Sequence, residues 1–166
     1  ISVLPLVNIS GFSLGQRLNY KSENPNRGFL PLLDGVHASE EARVLLHHEM
    51  MLTDLGRDGV LSCHEDLARE TAYIYANESG VTPSNLALKL RDSHAAFFPI
   101  HTDGFIDSCH ILNGIVFNHP DSSFEAWLLQ RGAKASYCTE TPGLANFETR
   151  VLANAAIAKS FIECHM

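Results

Sequence analysis

The sequence has no long hydrophobic run and few basic side chains. Its one early apolar stretch, ISVLPLV at residues 1–7, falls far short of the roughly 20 residues that a helix needs to cross a bilayer. The 12 Lys and Arg residues are outnumbered by 19 Asp and Glu residues, so the formal net charge is -7 with histidines neutral. We therefore exclude a membrane span and expect a surface that favours cations over nucleic-acid phosphates.

The sequence also lacks two motifs that identify many enzymes, the P-loop and H-E-x-x-H. Cys109 stands beside His110, but sequence neighbours need not face each other, because the partners of a catalytic pair meet through the fold. The stretch WLLQRGAKASYCTE resembles the helix, Gly-Ala turn and strand of caspase-like α/β domains, although the scarcity of alternating strands counts against that fold. A hydrolase is therefore kept as an alternative.

Three features favour a secreted chain. The sequence begins at Ile1 instead of a methionine, as a processed product does. It contains four cysteines, and two N-x-S sequons make Asn8 and Asn77 candidate glycosylation sites. We expect an extracellular protein, with a cytoplasmic location as the alternative.

Helical periodicity dominates the chain after residue 36. Residues 1–36 contain glycines and polar runs without a sustained period, which predicts an irregular N-terminal arm. Residues 37–166 predict a helical domain, in which a helix-loop-helix pattern occurs twice over 40–118 and further helices follow over 120–166. The 45% hydrophobic composition supports a packed core. We predict a mainly α fold whose only β structure is a short pairing between the two loops.

Capping signals predict where these helices begin and end. Ser39 caps a helix that runs from about 39 to 53. A second helix ends near Ser79-Gly80, and Thr82-Pro83 opens a third. ILNGIVFN predicts about two further helical turns. Finally, Ser122-x-x-Glu125 forms a capping box, and Thr141-Pro142 begins the last helix.

The stretch DLGRDGVLSCHE, residues 54–65, has the spacing of a calcium loop between two predicted helices. Calcium takes six to eight oxygen ligands, which such a loop presents from positions 1, 3, 5, 7, 9 and 12. Gly59 at position 6 permits the sharp bend, whereas Gly56 at position 3 supplies no side-chain ligand. The predicted calcium ligands are Asp54, Asp58, the Val60 carbonyl, Ser62 and Glu65.

The second loop, aligned by its glycine, is degenerate. Pro99 stands where the first carboxylate belongs, and a histidine stands where the last glutamate belongs. Its candidate ligands for a second, weaker metal site are His101, Asp103, Asp107 and His110. We expect this loop to be structural, with a short strand around Ile106 lying beside one around Leu61.

With these two loops, residues 40–118 resemble a pair of EF-hands, the first nearly complete and the second decayed. The long connection between them is similar to that of the sarcoplasmic calcium-binding proteins. This resemblance implies a compact helical body that binds Ca²⁺ and acts as a structural, assembly or buffering component and not as an enzyme. The composition of the N-terminal arm is compatible both with packing on this body and with contact to a protein partner or a second copy of the chain.

The nine histidines support a rival hypothesis. Imidazole and carboxylate groups in the second loop suit zinc or copper better than calcium, and such a site can be catalytic. Most of the other histidines are scattered singly, where surface positions or hydrogen-bonded positions are more common than metal ligation. A histidine-rich zinc or copper protein is the second alternative.

The four cysteines allow three disulfide pairings. Cys63 and Cys109 stand at positions 10 and 11 of the two loops, so pairing of the loops would bring them together. We expect a disulfide there and a second between Cys138 and Cys164, with four reduced thiols as the alternative. A link between the loops would stabilise a lobe that holds one metal ion.

Overall fold

The computed structural model describes residues 1–165, apart from the side chains of Pro31 and Asp34. Its helices are α1 (Ile9–Leu14), α2 (Pro31–Asp34), α3 (Glu40–His47), α4 (Glu49–Leu55), α5 (Asn85–Ala95), α6 (Phe124–Gln130) and α7 (Phe147–Glu163). Its strands are β1 (Val60–Asp66), β2 (Tyr73–Glu78), β3 (Asp103–Ile106), β4 (Cys109–Leu112), β5 (Ile115–Phe117) and β6 (Ala135–Pro142). The fold is mixed α/β, and the prediction of a mainly α protein is wrong. Within residues 1–165, no helix has the length and apolar character to cross a membrane.

The chain divides into two compact units. The first contains Ile1–Arg57 and Pro120–Ala133, and so holds α1 to α4 together with α6. The second contains Asp58–His119 and the chain from Lys134 onward, and so holds all six strands of the sheet with α5 and α7. The predicted boundary near residue 36, between an arm and a body, stays a prediction.

The six strands form one mixed sheet with the order β1-β6-β2-β5-β4-β3. β1 is parallel to β6, which is antiparallel to β2. β2 is parallel to β5, and β5, β4 and β3 follow as antiparallel neighbours. β1 and β3 therefore form opposite edges of the sheet, so the segments around Leu61 and Ile106 do not pair with each other as predicted.

Two tight turns connect the strands on the β3 side. Asn113 and Gly114 both have positive φ, 51° and 78°, and join β4 to β5. Asp107 and Ser108, with φ of 48° and 67°, join β3 to β4 in the same way. Two central residues with positive φ define the type I′ hairpin turn, for which Asn-Gly is a preferred sequence. The predicted helix over ILNGIVFN is therefore a β-hairpin.

One face of the sheet packs against α5 and α7 to form the main core of the second unit. Side chains alternate between the faces of a strand, so Ile74 and Ala76 of β2 point to the same side as Tyr137 of β6. The cluster consists of Ile74, Ala76, Ala87, Leu90, Ile115, Tyr137 and Ile157, all no more than 3% exposed. Burial of each large apolar side chain stabilises the fold by about 1.5–3 kcal/mol.

The opposite face of the sheet carries a second apolar cluster and, at its β1 end, polar side chains. The apolar cluster is formed by Tyr73, Ile106, Cys109, Ile111 and Val116, with Tyr75 packed against it. This face, which we call the site face, includes the even-numbered residues of β1 and β6 and the odd-numbered residues of β2.

The first unit has an aromatic cluster around α6. Phe29 lies against Phe124 and Trp127, with ring centroids 5.4 and 5.8 Å apart. The α6 cap is Ser123, whose side chain accepts a hydrogen bond from the Ala126 N–H. The side chain of the predicted cap, Ser122, instead accepts a hydrogen bond from the Gly28 N–H at 3.0 Å.

Two further helix predictions are wrong because strands occupy their positions. The segment that ends near Ser79-Gly80 is β2, not a second helix. Thr141-Pro142 ends β6, and the last helix begins at Phe147 with Asn146 as its cap. The Asn146 side chain accepts from the Thr149 N–H at 3.2 Å.

Candidate active site

Two ionisable side chains face each other across the paired strands β1 and β6. His64 is in register with Glu140, and His64 Nδ1 lies 3.7 Å from Glu140 Oε1. The His64 side chain is 34% exposed and that of Glu140 is 14% exposed, so the pair is sheltered and still reachable from solvent. Parallel strands place their carboxyl ends at one edge of a sheet, which is where open α/β sheets bind ligands.

Cys138 brings a thiol to the same place. It precedes Glu140 by two residues in β6, so both side chains lie on the site face. Its Sγ is 3.9 Å from Glu140 Oε1, and the metal-binding atoms of Cys138 and His64 lie within 4.8 Å of each other. A nitrogen, a sulfur and an oxygen donor therefore converge, and we call His64, Cys138 and Glu140 the donor cluster.

The carboxylate of Asp66 organises the residues beside the donor cluster. Asp66 follows His64 by two positions in β1 and so lies on the site face. Its Oδ2 accepts a hydrogen bond from the Tyr73 hydroxyl at 2.9 Å and lies 3.4 Å from Arg69 Nε. Tyr73 is in register with Glu140 on the neighbouring strand. These contacts hold the end of β1 and the start of β2 next to the donor cluster.

The two tyrosines on this face are protonated donors and not bases. Burial raises the pKa of Tyr73 far above its ordinary value, and the Glu140 charge and the hydrogen bond to Asp66 act in the same direction. Burial also raises the pKa of Tyr75, which lies in register with Cys138. Because burial disfavours the charged phenolate, both hydroxyl groups keep their protons at neutral pH.

The donor cluster fits a zinc-class ion and does not fit calcium. Zinc bonds of about 2.0–2.3 Å in a tetrahedral arrangement separate the donor atoms by about 3.3–3.8 Å. The His64 and Cys138 donor atoms lie within 4.8 Å of each other, a limit that includes this range. Imidazole and thiolate suit zinc, whereas calcium takes oxygen ligands. The prediction of a calcium cofactor is wrong.

The five predicted calcium ligands do not surround a point. Val60, Ser62 and Glu65 all belong to β1, in which a rise of about 3.3 Å per residue places Val60 and Glu65 about 16 Å apart. Asp54 lies in α4 and pairs with Arg57. Because the segment after residue 59 is an extended strand, it cannot wrap around an ion as an EF-hand loop does.

The other two carboxylates of that predicted loop are engaged with basic side chains. Asp58 Oδ1 lies 2.7 Å from Lys134 Nζ. Glu65, on the face opposite His64, pairs with Arg150 of α7. These ion pairs explain the two acidic residues by local charge balance instead of metal binding.

The candidate ligands of the second predicted loop are spread along a hairpin. His101 Nδ1 lies 3.2 Å from Thr71 Oγ1, and Asp103 Oδ1 accepts from the Asn113 N–H at 3.1 Å. Asp107 occupies the turn after β3, and the His110 ring packs against Phe105. Within residues 1–165 these four side chains do not bring three metal-binding atoms together.

None of the four cysteines, all within the described range, forms a disulfide. Cys63 and Cys109 lie in β1 and β4, which β6, β2 and β5 separate in the sheet. Four strand spacings of about 4.8 Å place them roughly 19 Å apart, far beyond the roughly 7 Å limit for the Cα atoms of a disulfide. The predicted Cys138–Cys164 pair is likewise not formed, since Cys138 is buried and Cys164 is exposed.

The two sequons do not support a glycoprotein. Asn77 is 6% exposed within β2, where a bulky sugar has no room. Asn8 is the cap of α1: its Oδ1 accepts from the Gly11 N–H at 2.8 Å and its Nδ2 donates to the Arg17 carbonyl at 2.7 Å. The Asn8 side chain is thus engaged as a helix cap, and the Asn77 side chain is buried in the sheet.

The sequence also contains G-x-S-x-G at Gly11–Gly15. In a hydrolase this motif places the serine on a sharp turn between a strand and a helix. Here Ser13 lies inside α1, and its hydroxyl donates to the Ile9 carbonyl at 3.0 Å. This serine therefore lacks the backbone setting of a nucleophile.

Sequence reasoning missed Glu140, Cys138 and the role of His64. These residues are far apart in the chain, and the sequence patterns around them predict a calcium loop and a helix start where the structure has strands. The available signal was a spacing of two residues, between His64 and Asp66 in SCHED and between Cys138 and Glu140 in YCTETP, which places each pair on one face of a strand. Their parallel pairing could not be read from either stretch alone.

The structural neighbours of this chain are candidate metallopeptidases and not EF-hand proteins. No protein-family model matches the chain, and no curated protein matches it. A candidate metallopeptidase from Shewanella denitrificans is 46% identical, with a TM-score of 0.92, over 97% of this chain and 60% of that one. A second, from Shewanella amazonensis, is 42% identical, with a TM-score of 0.93, over 98% of this chain and 62% of that one.

A metallo-carboxypeptidase from Burkholderia cenocepacia shares the fold, with 15% identity and a TM-score of 0.61 over 96% of this chain and 43% of that one. These neighbours correct the EF-hand resemblance, the non-catalytic role and the description as a calcium-binding glycoprotein. The chain spans 60–62% of the length of the two Shewanella proteins. In sequence and in fold, it is similar to that part of two candidate metallopeptidases.

Proposed function

We propose that this chain carries catalytic residues of a metal-dependent hydrolase that cleaves amide bonds. The observation that carries the proposal is the facing pair of His64 and Glu140, 3.7 Å apart at the carboxyl ends of two parallel strands. The 46% and 42% identity to candidate metallopeptidases supports it. Of the two alternatives from the sequence, the hydrolase is thus favoured, with a zinc-class metal and without the histidines of the second loop.

His64 is the metal ligand in this proposal. A neutral imidazole nitrogen is a common donor to zinc, and the His64 ring is accessible enough to meet an ion from solvent. Zinc bound there supplies a Lewis acid that polarises the amide carbonyl and lowers the pKa of water. A catalytic zinc takes three protein ligands, so His64 is joined by further donors.

Glu140 is the proton carrier. Its carboxylate accepts a proton from the water that adds to the amide carbonyl carbon, and then donates that proton to the nitrogen as the C–N bond breaks. Water is consumed, and an acid and an amine are released. The position of Glu140, directly across from His64, places this carboxylate beside the metal ligand.

Tyr73 and Asp66 are the positioning residues for the pair of His64 and Glu140. The Tyr73 hydroxyl donates to Asp66, and Tyr73 lies in register with Glu140, so the phenol stays fixed beside the reactive carboxylate. Arg69 balances the charge of Asp66. Without that balance the Asp66 charge would stand uncompensated beside the Glu140 carboxylate.

The test is zinc binding together with hydrolysis by the purified protein. Calorimetry with ZnCl₂ should show one site, and release of amine from N-acyl amino acids and dipeptides should require zinc. Glu140→Gln should still bind zinc but lose at least about 100-fold in rate. His64→Gln should lose zinc binding, and Glu148→Gln, on the exposed first turn of α7, should behave as the parent.

A parent protein that binds no zinc, or a Glu140→Gln variant that hydrolyses at the parental rate, would overturn the proposal. The expected extracellular location and the expected partner of residues 1–36 stay predictions.

A further inference from the structure

Cys138 is the residue of the donor cluster that the proposed reaction leaves without a role. It is 7% exposed, and its Sγ lies 3.9 Å from Glu140 Oε1. Its sulfur and the nearest His64 ring nitrogen are within 4.8 Å of each other. Ser62, its partner in register on β1, is two residues before His64, so the strand pairing itself fixes this approach.

The spacing suits two ligands of one ion. A zinc ion with one nitrogen at about 2.0 Å and one sulfur at about 2.3 Å holds them about 3.5 Å apart. Small side-chain rotations bring the Cys138 and His64 donors from within 4.8 Å to that distance. Both residues belong to paired strands, which hold their backbones in register.

We propose that Cys138 is a thiolate ligand of the metal, so that this chain supplies a mixed histidine and cysteine donor pair. The proposal rests on the proposed function and specifies its metal chemistry. When the sulfur binds the ion, the thiol loses its proton to solvent. A thiolate selects zinc, cobalt and cadmium over magnesium and calcium, which prefer oxygen donors.

Cys109 is a matched control for this cysteine. It is also 7% exposed and lies on the site face, in β4. It also approaches an imidazole, with Sγ 3.3 Å from His119 Nδ1. The two cysteines are therefore equally buried, lie on the same face of the sheet and each have a histidine neighbour. They differ because Cys138 lies beside Glu140 and His64, on the strands that would hold the ion.

Cobalt absorption is the direct test. The parent protein titrated with CoCl₂ should develop a near-ultraviolet charge-transfer band, which reports a sulfur–cobalt bond. Cys138→Ser should lose this band and bind Cd²⁺ at least about tenfold more weakly. Cys109→Ser should keep the band and the parental affinity for Cd²⁺.

A second measurement needs no variant. Cd²⁺ should protect Cys138 from alkylation by iodoacetamide in the parent protein, as read by peptide mass spectrometry, and should leave the labelling of exposed Cys63 unchanged. Cobalt that binds without the band, or a Cys138→Ser variant that binds Cd²⁺ with the parental affinity, would overturn the thiolate and leave the proposed hydrolase intact. A parent protein that binds neither cobalt nor zinc would overturn both.

Discussion

His94 of α5 donates a hydrogen bond from Nε2 to Thr141 Oγ1 at 3.0 Å, next to Glu140 in the sequence of β6. The Thr141 hydroxyl donates in turn to Asn154 Oδ1 at 3.3 Å, so its oxygen must accept from His94, which assigns the Nε2–H tautomer. His94 Nδ1 is buried and, among residues 1–165, has no hydrogen-bond partner. A proton added there would be a buried charge without a partner.

The stability of the protein should therefore fall in acid because of His94. Burial lowers the pKa of His94 to about 4, from about 6.5 in an unfolded chain. Between these values the unfolded chain binds the proton more readily than the folded one. The contribution of His94 to the free energy of unfolding is thus complete above pH 6.5 and is lost as the pH falls towards 4, by about 3 kcal/mol in all. Urea unfolding at pH 7, 5.5 and 4.5 measures it.

Two substitutions separate this effect from general acid unfolding. His94→Gln removes the titrating group and should flatten the dependence on pH between 6.5 and 4, even where it lowers stability at pH 7. His47→Gln, at an exposed position of α3, should leave the parental dependence unchanged. Parallel curves for the parent and His94→Gln would show that another group is responsible.

The buried carboxylate of Glu78 should make Tyr137 important for stability. Glu78 Oε1 accepts from the Tyr137 hydroxyl, and Glu78 Oε2 accepts from the Ser84 N–H at 2.8 Å, which joins β2, β6 and the start of α5. Tyr137→Phe keeps the ring and removes a hydrogen bond to a buried charge. We expect a loss of about 1.5–3 kcal/mol in the free energy of unfolding.

The control is an exposed tyrosine with the same kind of contact. The Tyr20 hydroxyl donates to Glu40 Oε2 at 2.7 Å at the surface. Tyr20→Phe should cost less than about 0.5 kcal/mol, because water replaces the lost partner. Equal losses in the two variants, measured by urea unfolding, would mean that burial of Glu78 does not set the effect.

Gly114 should be the least replaceable residue of the β4–β5 hairpin. Its φ is +78°, and an added Cβ would meet Ile100 Cγ2 at 2.2 Å. Gly114→Ala therefore combines backbone strain with a steric clash, and should cost roughly 2–4 kcal/mol. Gly104→Ala has positive φ but no atom within 4 Å of the added Cβ, so it should show the backbone strain alone. Thermal unfolding that ranks the two variants in the opposite order would contradict this account.

Local signals in the sequence were sufficient for some helices. Ser39 caps α3 as predicted, and its side chain accepts from the Ala42 N–H. Such caps depend on residues only a few positions apart, so a short window contains the whole interaction. The helix expected after Thr82-Pro83 also forms, although its cap is Ser84.

The sheet and the site could not be predicted in this way. His64 meets Glu140 because β1 pairs with β6, and parallel partners are always distant in the chain. Asn113-Gly114 is a local signal for a hairpin, which the helical interpretation of ILNGIVFN did not use. The spacing of Asp and Gly at 54–65 resembled a calcium loop because a helix end followed by a strand also needs a polar turn.

Metal-dependent unfolding distinguishes a zinc site at His64 from the calcium loop predicted over residues 54–65. An ion that binds only the folded protein stabilises it by RT ln(1 + [L]/Kd), about 2.7 kcal/mol at one hundred times Kd. Zn²⁺ should therefore raise the melting temperature of the parent, and EDTA should reverse the rise. Ca²⁺ should leave it unchanged, because Val60, Ser62 and Glu65 lie along an extended strand.

Two variants locate the ion. In His64→Gln the rise with Zn²⁺ should disappear, since the imidazole donor is lost. Glu65→Gln breaks only the ion pair with Arg150 on the other face of β1, so it should cost no more than about 1 kcal/mol and keep the full rise with Zn²⁺. A rise with Ca²⁺ that Glu65→Gln abolishes would instead restore the calcium loop and remove the metal from the His64–Glu140 side of the sheet.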